Sequence, residues 1–261
     1  MRKLYIFTGI LLFIISSCSK LEHTDVQQED KMLASTLNQT NPYNYVGEEH
    51  NQCLTSLGSD DEFGSMTDIE ETQYIMDWFY NNDGIECDSS AEVLVQIVNS
   101  IDFDNLSLSL EASTWFDNSQ ITATQLDVLI QLDSIINLAF SNNSLFNQKC
   151  TELELEIFNL DLDESEKSLL WGAVSVAHYS GNFWDNAYND ENNPWSFICE
   201  CPYHGGPPSQ QKPNCVGHVA ADVYGWCRGL VTKIGDGKLL HHAKVTATNM
   251  SRKYDHRNDY N

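Results

Sequence analysis

The stretch VGHVAADVYGWCRGL, residues 216–230, places small residues at every fourth position. On a helix this spacing puts them on one face, where they would form a stripe almost free of side chains: Gly217, Ala221, Gly225 and Gly229. Each glycine costs about 1 kcal/mol relative to alanine inside a helix. Close packing of a neighbouring helix would compensate, and residues 169–183, which also mix small and bulky side chains, are the expected neighbour.

The same stretch is too polar to lie in a membrane. Small-residue faces are best known from membrane helices. This stretch, however, also contains His218, Asp222 and Arg228, and charged side chains are costly in a bilayer. We therefore predict a helix of a water-soluble fold that packs against another helix. An alternative is that the stripe seats another protein or a second copy of this chain.

Helix signals dominate the rest of the chain. Capping-box spacing precedes several apolar runs: Thr67 with Glu70, Ser89 with Glu92, Thr122 with Gln125, and Asp163 with Glu166. Alternation at Leu106–Leu110 and Leu153–Ile157 fits either a short hairpin or helices. The predicted fold is mainly α, an irregular helical bundle with a long cysteine-containing loop before a C-terminal small-residue helix and at most one short β-hairpin.

The first residues are typical of an export signal. Arg2 and Lys3 precede an apolar core, Leu4–Ile15, that is too short to span a bilayer. The small residues before Cys18 resemble the lipobox of bacterial lipoproteins, which implies a lipid on Cys18. The predicted location is the cell envelope, at the outer membrane, with the membrane itself as one partner; an ordinary secretory signal is the alternative.

Composition divides the chain into five segments. In order, they are a signal peptide (1–17), a polar tether (18–41), an acidic helical body (42–183), an irregular Cys/Pro/Gly loop (184–214) and a C-terminal helical part with a basic tail (215–261).

Charge is distributed unevenly between these segments. No Lys or Arg occurs in residues 32–148, which hold 19 Asp and Glu, whereas residues 228–261 hold seven Lys and Arg against three Asp. So acidic a body repels nucleic acid, which is excluded as a partner. We expect an electrostatic match between the basic end and the acidic body; the alternative is a cationic partner or divalent metal ions at the surface.

The late cysteines allow two interpretations. In an oxidising envelope they would form disulfides or remain buried free thiols, with Cys227 and Cys215 as the nearest disulfide partners for Cys199 and Cys201. Alternatively, they belong to a zinc site, whose ligands would be Cys199, Cys201, His204, Cys215, His218 and Asp222. Zinc is the one cofactor that this sequence suggests.

Histidines elsewhere favour ordinary roles. His50, which shares one side of a helix with Val46 and Cys53, is expected on a solvated helix face; because it follows Glu48 and Glu49, the alternative is a proton shuttle beside a carboxylate. His178 is expected in the core. His241 and His242 are assigned to the basic tail. The sequence has no serine elbow, cysteine-nucleophile signature or H-E-x-x-H helix.

Two short segments resemble a known group. NPYNYVGEEHN, residues 41–51, and ADVYG, residues 221–225, are similar to uncharacterised secreted proteins and lipoproteins of Bacteroidetes, which share an N-P-Y-x-Y-V-G-x-x-H-N entry and a late A-D-x-x-G segment. This resemblance supports an envelope location and implies no catalytic residue. The sequence thus favours a non-enzymatic envelope lipoprotein that binds a protein partner or self-associates; the alternative is a zinc enzyme.

Overall fold

The computed structural model describes residues 41–62, 65–87, 89–103, 106–190, 192–195, 215–232 and 238–256. These residues form helices joined by short connections and contain no strand, so the mainly α prediction is confirmed. The helices are α1 (Asn44–Gly58), α2 (Asp68–Asp83), α3 (Ala91–Asn99), α4 (Leu108–Asp117), α5 (Ala123–Ile136), α6 (Asn143–Asn159), α7 (Glu164–Asn189), α8 (Cys215–Thr232) and α9 (Leu239–His256). No helix among them is long and apolar enough to cross a membrane.

Three of the four predicted capping boxes form. The side chains of Thr67, Thr122 and Asp163 each accept a hydrogen bond from the backbone N–H three residues later, and their own backbone N–H donates to the side chain of that later residue. These bonds satisfy N–H groups that the first helical turn leaves without partners. At the fourth site the N-cap of α3 is Ser90, not Ser89, and its side chain makes no capping bond to the backbone.

Both alternating segments are helical. Residues 108–110 begin α4, and residues 153–157 lie inside α6. Leu110 and Leu155 are exposed on their helices, which explains the misleading alternation: apolar residues at every second position include some that face solvent.

The predicted boundary between the helical body and the loop lies too early. Helix α7 continues past residue 183 to Asn189, because Trp184 and Ala187 are fully buried and extend its apolar face. Residues 41–261 cluster as one compact unit, so the acidic body and the C-terminal helices share one core.

Helix α8 packs between α7 and α9. On one side, the Trp226 ring covers Gly172 of α7 and its Nε1 donates to the Leu169 carbonyl at 2.9 Å. On the other side, Gly225 and Gly229 face Ala247 and Ala243 of α9. The glycine stripe therefore lies against α9, not against residues 169–183 as expected.

His241 and His242, which the sequence assigned to a basic tail, lie within helix α9 and are buried. Every residue from His241 to Arg252 in α9 is buried. Ala243 and Ala247, four residues apart, give α9 a small-residue face that matches the stripe of α8. Because α9 is rich in charged residues, its sequence did not suggest that it would pack against the stripe of α8.

We predict that Gly225→Ala destabilises the protein. An added Cβ would lie 2.7 Å from the Ala247 Cα, a backbone atom that moves only with its helix, so the free energy of unfolding should fall by about 1–3 kcal/mol in urea titrations. Ser134→Ala is the control, because Ser134 is exposed on α5 and its hydroxyl bonds the Ile130 carbonyl of its own helix, so the stability of this variant should stay close to that of the parent. A Gly225→Ala protein as stable as the parent would contradict this packing.

Candidate functional site

The entry segment, residues 41–51, docks α1 along α7. Asn41 Nδ2 donates to the Trp171 carbonyl at 3.0 Å, and the Gly47 N–H donates to Ser175 Oγ at 3.0 Å. One turn later, Asn51 Nδ2 donates to the Tyr179 carbonyl at 2.8 Å. A Cβ on Gly47 would collide with the Ser175 backbone, so this motif position needs glycine.

Asn41 also reaches a buried carboxyl group on α6. Its Nδ2 donates to Glu154 Oε1 at 2.7 Å, and Glu154 is 1% exposed. Burial raises the pKa of Glu154 to about 7, and the bond from Asn41 opposes only part of that shift. Asn41 Oδ1 also accepts from the Tyr43 N–H, and α1 begins at Asn44.

The second motif meets the first in the core. Asp222 of α8 is fully buried, and its Oδ2 accepts from Ser180 Oγ and, at 3.2 Å, from Trp184 Nε1. Its other oxygen, Oδ1, lies 3.7 Å from His50 Nε2. His50 is also fully buried, so its expected place on a solvated face was wrong.

His218 packs against Trp184, which is one of the hydrogen-bond partners of Asp222. Its ring stacks on Trp184 with centroids 4.2 Å apart and meets the edge of Tyr254 at 4.7 Å. Both predicted metal ligands on α8, His218 and Asp222, are buried. The Asp222 carboxylate is directed towards α7 and α1.

The zinc hypothesis gains no support from the part of the chain described. Cys199, Cys201 and His204, and the side chain of Cys215, lie outside the described residues. Among those described, no group of three or more His, Cys, Asp or Glu side chains could hold a metal ion. The Asp222 carboxylate is already bound by Ser180 and Trp184.

The predicted disulfide partner Cys227 is instead a buried free thiol, as are Cys53 and Cys150. Burial raises the pKa of all three, which makes them poor nucleophiles and poor metal ligands. Disulfides between the late cysteines remain a prediction, because Cys199, Cys201 and the Cys215 side chain lie outside the described residues.

The expected electrostatic match between the basic end and the acidic body forms inside the protein. Lys244 Nζ of α9 donates to Glu49 of α1 at 2.8 Å and to Asp83 of α2. Burial alone would lower the pKa of Lys244, but the bonds to Asp83 and Glu49 outweigh it and raise that pKa.

A second ion-pair group joins the far end of α9 to the start of α2. Arg252, 1% exposed, donates to Glu71 and, at 3.0 Å, to Asp68, and Lys253 donates to Asp68 at 2.9 Å. Burial would raise the pKa of Asp68, but its bonds with Lys253 and Arg252 lower it to about 2. Buried charges need such partners, so α9 could not pack here without the carboxylates of α1 and α2.

His241 lies in the same interface. It is 1% exposed, with Nδ1 3.6 Å from Asp83 Oδ2 and its ring against Phe79. Burial and the neighbouring Lys244 lower the pKa of His241, and Asp83 offsets part of this effect.

Two cavities open between the described helices. One of about 650 Å³ is lined by residues from the end of α4 to the start of α5, by the start of α7 and by the end of α8, with Phe116, Leu169 and Leu230 among its apolar side chains. The other, of about 290 Å³, lies near Asp133 and Tyr254. Neither is lined by His50, Ser180 or Asp222, whose side chains are inaccessible to a substrate in this conformation.

Sequence reasoning missed His50, Ser180 and Trp184 as members of the buried cluster. A usable signal existed for His50, since it shares one face of α1 with Val46 and Cys53. Nothing in the sequence indicated that Ser180 and Trp184 would meet Asp222, because these residues are about 40 positions apart. Comparison of the chain with protein-family models, curated proteins and solved structures finds no match.

We predict that Glu154→Gln stabilises the protein at alkaline pH. The pKa of Glu154 is raised from 4.5 to about 7, so ionising it in the folded state costs stability that grows as the pH rises from about 5 to 7. Removing that charge should add about 2–3 kcal/mol to the free energy of unfolding at pH 8 and almost nothing at pH 4. Urea titrations at both pH values measure this difference.

Glu156→Gln on the same helix is the control, because Glu156 is exposed and should give the parental pH dependence. An equal gain at pH 4 and pH 8 for Glu154→Gln would contradict the assignment.

Proposed function

We propose that this chain is a non-enzymatic binding protein of the cell envelope, lipid-anchored at Cys18 in the outer membrane, and that its partner is a cationic protein. The proposal combines the predicted export signal with the charge of the folded surface. The likeness to Bacteroidetes lipoproteins in residues 41–51 and 221–225 agrees with it.

The main support for a binding role is the way charged residues are divided between the core and the surface. In the described part of the chain, every Lys and Arg with an assigned burial is buried or half-buried. The exposed charged side chains there are all carboxylates: Glu48, Asp61, Glu62, Glu70, Asp77, Glu86, Glu92, Asp102, Asp117, Asp127, Glu152, Glu156, Asp161, Asp163, Glu164 and Asp190. A surface of one sign attracts partners of the opposite sign and speeds their association.

Helices α2 and α3 are the part of this surface best suited to a protein partner. Ile69, Tyr80, Ile85 and Val93 are each between 38% and 46% exposed there, and exposed carboxylates surround them in sequence. Apolar side chains ringed by charge are typical of protein interfaces. Since the inner side of α2 binds α9, its outer side is available.

The interior supports binding rather than catalysis. His50, Ser180 and Asp222 are among the buried polar groups of the core, and all three are fully buried. The hydrogen bond from Ser180 to Asp222 joins α7 to α8, and the 3.7 Å contact of His50 with Asp222 joins α1 to α8. They act as structural links in this arrangement, so the surface is where we place the function.

A small basic protein such as cytochrome c tests the binding role. We expect it to bind the chain in 50 mM salt and to bind at least tenfold more weakly in 300 mM salt, because salt screens exposed charges. A triple variant at the proposed face (Asp77→Asn, Glu86→Gln, Glu92→Gln) should weaken binding more than a matched triple variant elsewhere (Asp127→Asn, Glu156→Gln, Asp161→Asn). Equal effects of the two variants would contradict a defined face.

Membrane fractionation tests the anchor. In a bacterial host that processes lipoproteins, the parent should sediment with the membranes, while Cys18→Ser should remain soluble, because the substitution removes the acylated sulfur. Cys53→Ser is the control and should leave the distribution unchanged. A parent chain found entirely in the soluble fraction would contradict anchoring.

A further inference from the structure

We propose that His50 and Asp222 bind one proton between them, as a buried imidazolium–carboxylate pair that clamps α1 to α8. The pair unites the two motifs singled out in the sequence, since His50 ends the entry segment and Asp222 belongs to the A-D-x-x-G segment. This inference rests on hydrogen-bond directions and is independent of the proposed binding function.

Asn51 fixes the hydrogen on the first ring nitrogen. Its Nδ2 donates to the Tyr179 carbonyl at 2.8 Å, and because a carbonyl only accepts, this end of the amide must be the nitrogen. Its Oδ1 therefore faces His50 Nδ1, at 3.1 Å. An amide oxygen also only accepts, so His50 Nδ1 carries a hydrogen.

The second ring nitrogen then faces a carboxylate oxygen. If His50 were neutral, Nε2 would present a lone pair to Asp222 Oδ1, 3.7 Å away. Both atoms are buried, and neither has a hydrogen-bond partner among the described residues. Two facing acceptors that have lost water are unfavourable, whereas a proton on Nε2 turns the repulsion into a charge-assisted attraction.

The surrounding hydrogen bonds place the negative charge on Asp222. Its Oδ2 accepts from Ser180 Oγ and from Trp184 Nε1, and hydrogen bonds of this kind favour the ionised carboxylate. Ser180, Trp184 and Asn51 are uncharged, and the ionisable His218 stacks on the Trp184 ring with centroids 4.2 Å apart. His50 supplies the basic nitrogen that lies within 4 Å of Asp222, so it is the counter-charge of this carboxylate. A buried pair of this kind is stable only with both partners present.

Nitrogen NMR on the full chain with ¹⁵N-labelled histidine tests the proposal at neutral pH. Both ring nitrogens of His50, assigned by the signals lost in His50→Gln, should appear as protonated nitrogens. In Asp222→Asn the new amide can donate to Nε2, so His50 should become neutral: Nε2 should move to the position of a bare nitrogen, while Nδ1 keeps its hydrogen.

Asp133→Asn is the matched control. Asp133 likewise accepts a serine hydroxyl, that of Ser109 at 2.6 Å, and its substitution should leave the His50 signals unchanged. A bare Nε2 in the parent protein would overturn the proposal, and this result does not depend on whether Asp222→Asn folds. A shift of the parent Nε2 signal on adding a chelator would also overturn it, by assigning a metal ion in place of the proton.

Discussion

The buried carboxylate of Asp222 is the constraint around which the core is arranged. A carboxylate without water needs hydrogen bonds or a counter-charge, and here Ser180 and Trp184 supply the former from α7. His50 approaches the remaining oxygen from α1. Because three helices must meet at one side chain, their rotation about their own axes is fixed more narrowly than apolar packing alone would require.

Three consecutive residues of α1 make polar contacts with the three helices of the C-terminal half, α7, α8 and α9. Glu49 binds Lys244 of α9, His50 faces Asp222 of α8, and Asn51 binds the backbone of α7. The helix thus touches each of the three central helices through a polar side chain. These links give the entry segment a structural requirement for particular residues: Gly47 for close approach, and its polar neighbours for bonds.

Much of the fold could be predicted because its signals are local. Three capping boxes and the stripe of α8 depend on residues three or four apart, and these patterns gave correct helices. The partner of the stripe was wrong because α9 is rich in charge, and only the carboxylates of α1 and α2 make its burial tolerable. His50 was misplaced for the same reason, since polarity suggests exposure unless a distant partner is known.

The spacing of these contacts along the chain sets the order of assembly. His50 and Asp222 are 172 positions apart, and Glu49 and Lys244 are 195 apart. Loops of this size slow folding, because chain entropy is lost before the contact forms. Helix α1 is the first described helix to leave the ribosome. It can complete its contacts with α8 and α9 only after nearly all of the polypeptide has been synthesised.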